Sequence, residues 1–160
     1  MGFASPVCGF SFPGRDVLRT DQKRKAGSMK KFALLIYIDD EMLEALPEGE
    51  YDRRMRGCLA HADELREDGR LQDSQMLEDA KTAKSMRVRN GRRTVVDGPF
   101  TETKEMLAGF NLIEAEDMDE AVRIAEAFPW AATGCIEIRE IRDIEGVRQR
   151  VGSAAATASS

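Results

Sequence analysis

The stretch VVDGPFTETKEMLAGF, residues 95–110, concentrates side chains that could act in catalysis or ligand binding. Asp97 precedes a Gly-Pro pair, and the fixed φ of Pro99 makes the turn that carries the Asp97 carboxylate rigid. A carboxylate held on a rigid loop can act as a general base or accept a hydrogen bond from a ligand. The same carboxylate can instead cap backbone N–H groups of its own turn, which is a structural role. Asp97 is therefore a candidate catalytic residue, with both roles open.

The five residues after Phe100, TETKE, carry nearly every kind of polar group. Thr103 and Lys104 are candidates to bind an anionic or hydroxylated ligand, because Lys supplies a positive charge and Thr supplies both a donor and an acceptor. Phe100 is a candidate apolar contact for the same ligand, or else an anchor that holds the turn down. The alternative for the whole run is an exposed connection to the next strand. Loops on a rigid scaffold often carry binding residues, which keeps the ligand-binding interpretation open.

His61 is the single histidine of the chain and the second candidate for acid–base catalysis. An unperturbed imidazole titrates near neutral pH, which suits proton transfer. At helical spacing His61 lies beside an apolar stripe, where its side chain can reach the rim of a cavity; the alternative is a partly buried histidine without a catalytic role. With one histidine and three widely spaced cysteines, we expect no structural metal site, no cofactor and no disulfide framework.

Composition restricts the classes of function open to this chain. With 160 residues, 42% of them hydrophobic and 33% charged, it is typical of a single soluble globular domain. No apolar run approaches the roughly 20 residues that cross a membrane. The net charge of −5, with acidic and basic residues interleaved, argues against direct nucleic-acid binding. Gly-rich phosphate loops are absent, and the odd number of cysteines favours the reducing cytoplasm.

Three segments divide the chain. Residues 1–28 mix Gly, Pro, Ser and basic residues without helical or strand period, and Met29 stands directly before a strand-like run. We expect residues 1–28 to be a disordered extension or an over-called start, with Met29 as the biological start. Residues 29–150 form the predicted domain. Residues 151–160 are small and polar, and we expect a disordered tail.

Periodicity within the domain predicts alternating strands and helices. In order, these are a strand at 31–38, a loop at 39–49, a helix at 50–68, a strand at 70–77, a hairpin at 84–96 around Asn90-Gly91, a strand at 109–116, a helix from Asp117 to before Pro129, and a strand at 135–141. Without the hairpin this is β-α-β-β-α-β, the ferredoxin-like split βαβ arrangement of an α+β fold. Both helices must cover one sheet face, so the other face is free to pair with a second subunit in a homodimer.

Three segments also carry a resemblance to a known family. MKKFALLIYIDD, VVDGPFTETKEMLAGF and AFPWAATGCIEIREI together resemble the YCII-related family, and specifically its DGPF subgroup, named for the tetrapeptide at Asp97–Phe100. The resemblance covers residues 29–142. It implies a dimeric α+β barrel, in which two ferredoxin-like units pair their sheets, with a cavity between sheet and helices in each subunit.

For function, the resemblance implies two hypotheses of different class. Most DGPF proteins have no established activity, but some related YCII proteins are regarded as enzymes with a His–Asp pair, including a dehydrochlorinase that acts on an aromatic ring. The first hypothesis is a protein that binds a small organic ligand beside the DGPF loop, with acid–base catalysis by Asp97 and His61 left open. Counted back from Gly69, however, the family histidine falls near Cys58. The alternative is a non-catalytic regulatory partner of an extracytoplasmic-function sigma factor, because DGPF proteins are frequently encoded beside such factors.

Overall fold

The computed structural model describes residues 29–101 and 103–153. The predicted extension at residues 1–28 and residues 154–160 of the predicted tail lie outside the described part of the chain. The strands are β1 Lys30–Asp39, β2 Leu71–Met76, β3 Lys84–Arg89, β4 Arg92–Asp97, β5 Glu105–Ala115 and β6 Gly134–Glu140. The helices are α1 Asp40–Glu44, α2 Glu50–Glu67, α3 Met118–Glu126 and α4 Ile144–Val151, with short 3₁₀ turns at Ala80–Thr82 and Pro129–Ala132.

The main sheet has the strand order β2-β5-β1-β6, and each neighbouring pair is antiparallel. With α2 between β1 and β2 and α3 between β5 and β6, this is the split βαβ arrangement. Strands β3 and β4 form a separate two-stranded sheet inserted between β2 and β5. The predicted ferredoxin-like α+β fold with an inserted hairpin is confirmed.

Both long helices pack on the same face of the main sheet. Phe32 and Leu34 on β1 and Ile113 on β5 are fully buried, and they form one cluster with Leu65 of α2 and Ala121 of α3. Full burial of an apolar side chain of this size contributes roughly 1.5 to 3 kcal/mol. The core is therefore concentrated where α3 and the C-terminal half of α2 cover the sheet.

The start of α3 follows its sequence signature closely. The Asp117 carboxylate accepts a hydrogen bond from Glu120 N over 2.8 Å, and Glu120 reaches back to accept from Glu116 N over 2.6 Å. Arg70, just before β2, forms an ion pair with the other Glu120 oxygen. Glu120 thus fastens the start of α3 to the edge of the sheet, and the predicted N-cap at Asp117 is confirmed.

The hairpin turn was also predicted from two residues. Asn90 and Gly91 have φ of 50° and 71°, as both central residues of a type I′ turn require. Nearly every residue of β3 and β4 is exposed, because this hairpin extends away from the main sheet.

Three parts of the predicted element pattern were wrong. The segment 39–49, predicted as a loop, contains α1, because Asp39 caps the helix by accepting from Glu41 N over 3.0 Å and the first turn is acidic. Strand β5 begins at Glu105, four residues before the predicted 109, because it pairs with β1 along its whole length. Helix α4 was not predicted, and it is capped by Asp143.

The second face of the main sheet carries no helix among the described residues and is apolar at the centre, along β1 and β5, whereas Asp73, Glu137 and Arg139 lie on the edge strands. Ala33, Leu35 and Tyr37 alternate along β1 toward this face, and Phe110 and Leu112 do so on β5. All five are only partly buried. We call this set the open sheet face.

Candidate functional site

A cavity of about 290 Å³ lies between the N-terminal part of α2 and strands β1, β2 and β5. Its helical wall consists of Tyr51, Met55, Cys58, Leu59 and Ala62, which recur at three- and four-residue steps. The helical stripe predicted from the sequence is therefore real, but much of it lines a cavity rather than a filled core. For this reason Leu59 and Tyr51 are 56% and 42% exposed.

The space exists because β5 changes its inward-facing residues along its length. Ile113 and Ala115 fill the core end, whereas Gly109 and Asn111 face the cavity end. At Gly109 an added Cβ would lie 2.7 Å from the carbonyl oxygen of Gln75, so the close approach of β2 requires a glycine there. At the cavity end, β5 therefore contributes Gly109, which has no side chain, and Asn111, which has a polar one.

Asn111 and Ser74 form a hydrogen-bonded pair on the sheet wall of the cavity. They are register partners on β5 and β2, and the Ser74 hydroxyl donates to Asn111 Oδ1 over 2.7 Å. Asn111 is 3% exposed, yet no described residue accepts a hydrogen bond from its Nδ2. Nδ2 is not among the described polar atoms that are sealed from solvent without a partner, so it offers a hydrogen-bonding group to a molecule in the cavity.

The remaining walls are sulfur-containing, aromatic and acidic. Met76 of β2 and Met106 of β5 are unbranched and adapt to the shape of a bound molecule. Tyr51 and Trp130 stand with ring centroids 5.5 Å apart and planes inclined by 45°. The carboxylate-bearing lining residues, all exposed, are Asp40, Glu78 and Asp79. The cavity is thus mainly apolar inside and acidic at its edge.

The structure places Asp97 on the hairpin rather than in the cavity wall. Its carboxylate forms an ion pair with Lys84, its register partner across β3 and β4, and the Asp97 side chain is 84% exposed. The Gly98 that follows has a φ of 99° and donates from its N–H to the Ala83 carbonyl over 2.7 Å. The Asp97 carboxylate that precedes this turn therefore faces solvent and a lysine.

Phe100 also lies outside the cavity wall. Its ring is 70% exposed, and the Arg87 guanidinium stands 4.7 Å from the ring centroid. This is a cation–π contact across the hairpin.

Thr103 and Lys104 are not lining residues, and they precede the lining residue Met106 by three and two positions. The Thr103 hydroxyl is 3.6 Å from the sulfur of Met106, which lines the cavity. Lys104 Nζ is 3.5 Å from the Asp39 carboxylate and 3.0 Å from that of Glu41. The Glu41 carboxylate, and then that of Asp39, raise the pKa of the Lys104 ammonium, so its positive charge is committed to these two partners.

His61 lies on the side of α2 that faces α3. Its Nε2–H donates to the Ile124 carbonyl over 3.1 Å. Its ring packs edge-on against the Phe128 ring, with the two ring centroids 4.6 Å apart. Nδ1 is 3.9 Å from the exposed Glu64 carboxylate. His61 therefore joins two helices and is not part of the cavity lining, and Asp97 is not brought together with it.

Comparison with known proteins identifies the family. The family model described as the YCII-related domain matches residues 30–145. The chain belongs to the YCII-related domain family. A relative from Rhizobium meliloti (strain 1021), an uncharacterised protein, is 36% identical over 112 residues, which cover 69% of this chain and 90% of the relative.

In this YCII-related protein, Cys58, near which residue counting put the family histidine, lines the cavity. Burial raises the pKa of the Cys58 thiol, and a hydrogen bond with Trp130 offsets this only in part. A thiol of raised pKa stays protonated at neutral pH and is a weak nucleophile. Cys58 is therefore a small apolar wall residue here.

Asn111 and Ser74 are the functional candidates that the sequence did not reveal. The signal was present but weak: Asn111 is a lone amide within an apolar strand segment, GFNLI. Within the described residues, no cluster of three or more His, Cys, Asp or Glu is arranged to hold a metal ion. In the same part of the chain, no helix has the length and apolar character needed to cross a membrane.

Proposed function

We propose that this YCII-related protein binds a small organic molecule in the cavity between α2 and the sheet. The observation that supports this most strongly is the Asn111 amide, which is 3% exposed and lacks an acceptor for Nδ2 among the described residues. Because Nδ2 is not sealed from solvent, a ligand that accepts from Asn111 replaces a hydrogen bond to water with one to the protein, which contributes about 0.5 to 1.5 kcal/mol. The position of the amide in a largely apolar wall is typical of ligand sites.

The size of the cavity restricts the ligand. An apolar cavity of about 150 Å³ is enough to hold benzene. The volume of about 290 Å³ therefore fits a single ring with substituents, or an aliphatic compound of similar size.

Binding is better supported than acid–base catalysis. The cavity lining contains no histidine, its one thiol, that of Cys58, has a raised pKa, and its three acidic residues are exposed. The catalytic roles of Asp97 and His61, and the ligand contacts of Phe100, Thr103 and Lys104, stay predictions. Of these five residues, Thr103 has a polar contact with a lining residue, the sulfur of Met106.

The test is calorimetric titration of metabolite-sized compounds that raise the melting temperature of the protein. Leu59→Trp should abolish their binding, because Leu59 lines the cavity and its exposed position tolerates a larger ring. Arg56→Trp, at an exposed position of α2 outside the lining, is the matched control. Binding that persists in Leu59→Trp contradicts a site in this cavity.

A homodimer, membership of the DGPF subgroup and a cytoplasmic location belong to the same proposal. The apolar open sheet face supports the homodimer, since a large apolar surface on one sheet face is typically covered by a partner. The tetrapeptide at residues 97–100 supports the subgroup. The free thiols of Cys58 and Cys135 support a reducing compartment.

The exposed hairpin favours a second candidate function, regulatory association with an extracytoplasmic-function sigma factor. Met86 and Val95 are register partners on one face of the hairpin, 59% and 49% exposed, and Val88 on the same face is 58% exposed. Exposed apolar side chains on a projecting element are typical of protein contacts. Affinity capture from the native host tests this: a sigma factor should bind the wild type and be lost with Val88→Glu. Capture of no sigma factor argues against the alternative.

A further inference from the structure

The charged residues around the cavity favour ligands of one sign of charge. The lining includes the acidic residues Asp40, Glu78 and Asp79 and contains no Lys, Arg or His. The cavity itself is defined independently by its volume and by the buried Asn111 amide, so the carboxylates add selectivity to a site that stands without them.

Nearby cations neutralise only part of this acidic edge. Lys104 is paired with Asp39 and Glu41, and the exposed Lys81 is 3.7 Å from Asp79. Within the part of the chain that the structure describes, Asp40 and Glu78 have no ion pair. Two carboxylates at the opening are therefore free to interact with a charged group on a ligand.

The aromatic wall supports the same sign. The Tyr51 and Trp130 rings belong to the lining, and the faces of aromatic rings attract ammonium groups. A cation at the opening is thus favoured by both carboxylates and rings, whereas an organic anion meets repulsion without a compensating positive group in the lining.

We propose that the ligand class of this cavity is organic cations: compounds with an apolar or aromatic body, a hydrogen-bonding group that reaches Asn111, and a protonated amine at the opening beside Asp40 and Glu78. This inference rests on the proposed function, and it adds the charge of the ligand to it.

The test uses three probes of nearly equal size, tyramine, tyrosol and 4-hydroxyphenylacetate, whose shared phenol oxygen can accept a hydrogen bond from Asn111 Nδ2. Trp130 is the only tryptophan of the chain and lines the cavity, so its fluorescence reports occupancy. One unit-charge interaction at about 4 Å in water corresponds to roughly a fivefold change in affinity. At low ionic strength the amine should bind about fivefold or more tighter than the alcohol, and the acid about fivefold or more weaker. At about 0.5 M NaCl these differences should shrink.

The double variant Asp40→Asn, Glu78→Gln should bring the amine to the affinity of the alcohol and leave the alcohol unchanged. The control is Glu67→Gln, Glu126→Gln, which removes two exposed carboxylates outside the lining and should preserve the amine preference. Equal affinity of the three probes for the wild type overturns the charge selectivity while the cavity remains a binding site. Binding of none of them overturns the proposed function together with this inference.

Discussion

The Ser74 hydroxyl donates a hydrogen bond to Asn111 Oδ1 over 2.7 Å, between register partners on neighbouring strands. The bond fixes the orientation of the Asn111 amide and leaves Nδ2 for another acceptor. Because of this pair, a mainly apolar cavity also offers a hydrogen-bonding group of fixed orientation. Its energetics lead to the first prediction.

Replacing one member of this pair should destabilise the protein, and replacing both should not. Ser74→Ala leaves the buried Asn111 without a partner for either end of its amide, and we expect a loss of about 1 to 3 kcal/mol in the free energy of unfolding. Adding Asn111→Leu should restore most of that loss, because two apolar groups replace two polar ones. Urea denaturation measures both values, and a double variant less stable than Ser74→Ala contradicts this account.

His61 should matter for stability more than for ligand binding. His61→Ala removes the hydrogen bond to Ile124 and the contact with Phe128, and we expect a loss of about 1 to 3 kcal/mol. Arg56→Ala, an exposed change on the same helix, should cost under about 0.5 kcal/mol. The affinity of a cavity ligand should be the same in both variants. A variant that folds with full stability but no longer binds would instead support the catalytic interpretation of His61.

Acid should weaken the attachment of α3 through Glu120. Burial alone raises the pKa of Glu120, but hydrogen bonds from Glu116 N and Arg70 outweigh it and hold the pKa below the ordinary value of 4.5. A carboxyl whose pKa is lowered by folding stabilises the native state above its unfolded pKa, and this stabilisation is lost as pH falls through the folded pKa.

The corresponding variant is Glu120→Gln. At about pH 7 the free energy of unfolding of this variant should be about 1 kcal/mol lower than that of the wild type. This difference should shrink below about pH 4.5. Glu126→Gln, at an exposed site at the end of α3, should show no such pH-dependent difference. A Glu120→Gln deficit that stays constant down to about pH 3.5 rules out this linkage.

The open sheet face should determine the oligomeric state. We expect the wild type to sediment as a dimer of 17.8 kDa chains, and Leu35→Glu to dissociate it, because a charge would be buried between the two sheets. Val88→Glu makes the same type of change on the hairpin and should leave the dimer intact. If only Val88→Glu dissociates the dimer, the interface lies on the hairpin. If the wild type is a monomer at all concentrations, the predicted dimer is wrong.

Local patterns in the sequence were sufficient for much of the fold. The Asn90-Gly91 turn and the Asp117–Glu120 capping box are determined by residues close in the chain, and both were predicted. The start of β5 was not predicted, because the pairing of β1 with β5 joins residues about seventy positions apart. Helix α1 was missed although its cap at Asp39 is local. Tertiary hydrogen bonds extended β5 beyond its local pattern.

The candidate site was less predictable for a similar reason. Asp97 attracted attention because it stands in a distinctive turn, but its side chain is directed to Lys84 and solvent. Asn111 has no distinctive local motif, and its role depends on Ser74, which is 37 positions away in sequence. The helical stripe was recognised, but the sequence could not show that Gly109 leaves the space opposite it unfilled.

The most direct test of the central claim is a fluorescence titration of Trp130 with a bound compound, in wild type and two variants. We expect a saturable change, about tenfold weaker binding in Asn111→Leu because a hydrogen bond to a buried amide is lost, and unchanged binding in Asp97→Ala. Gln72→Leu, an exposed amide of β2 outside the lining, should behave as wild type. Binding that survives Asn111→Leu undiminished and disappears in Asp97→Ala would place the ligand at the DGPF loop and contradict the cavity site.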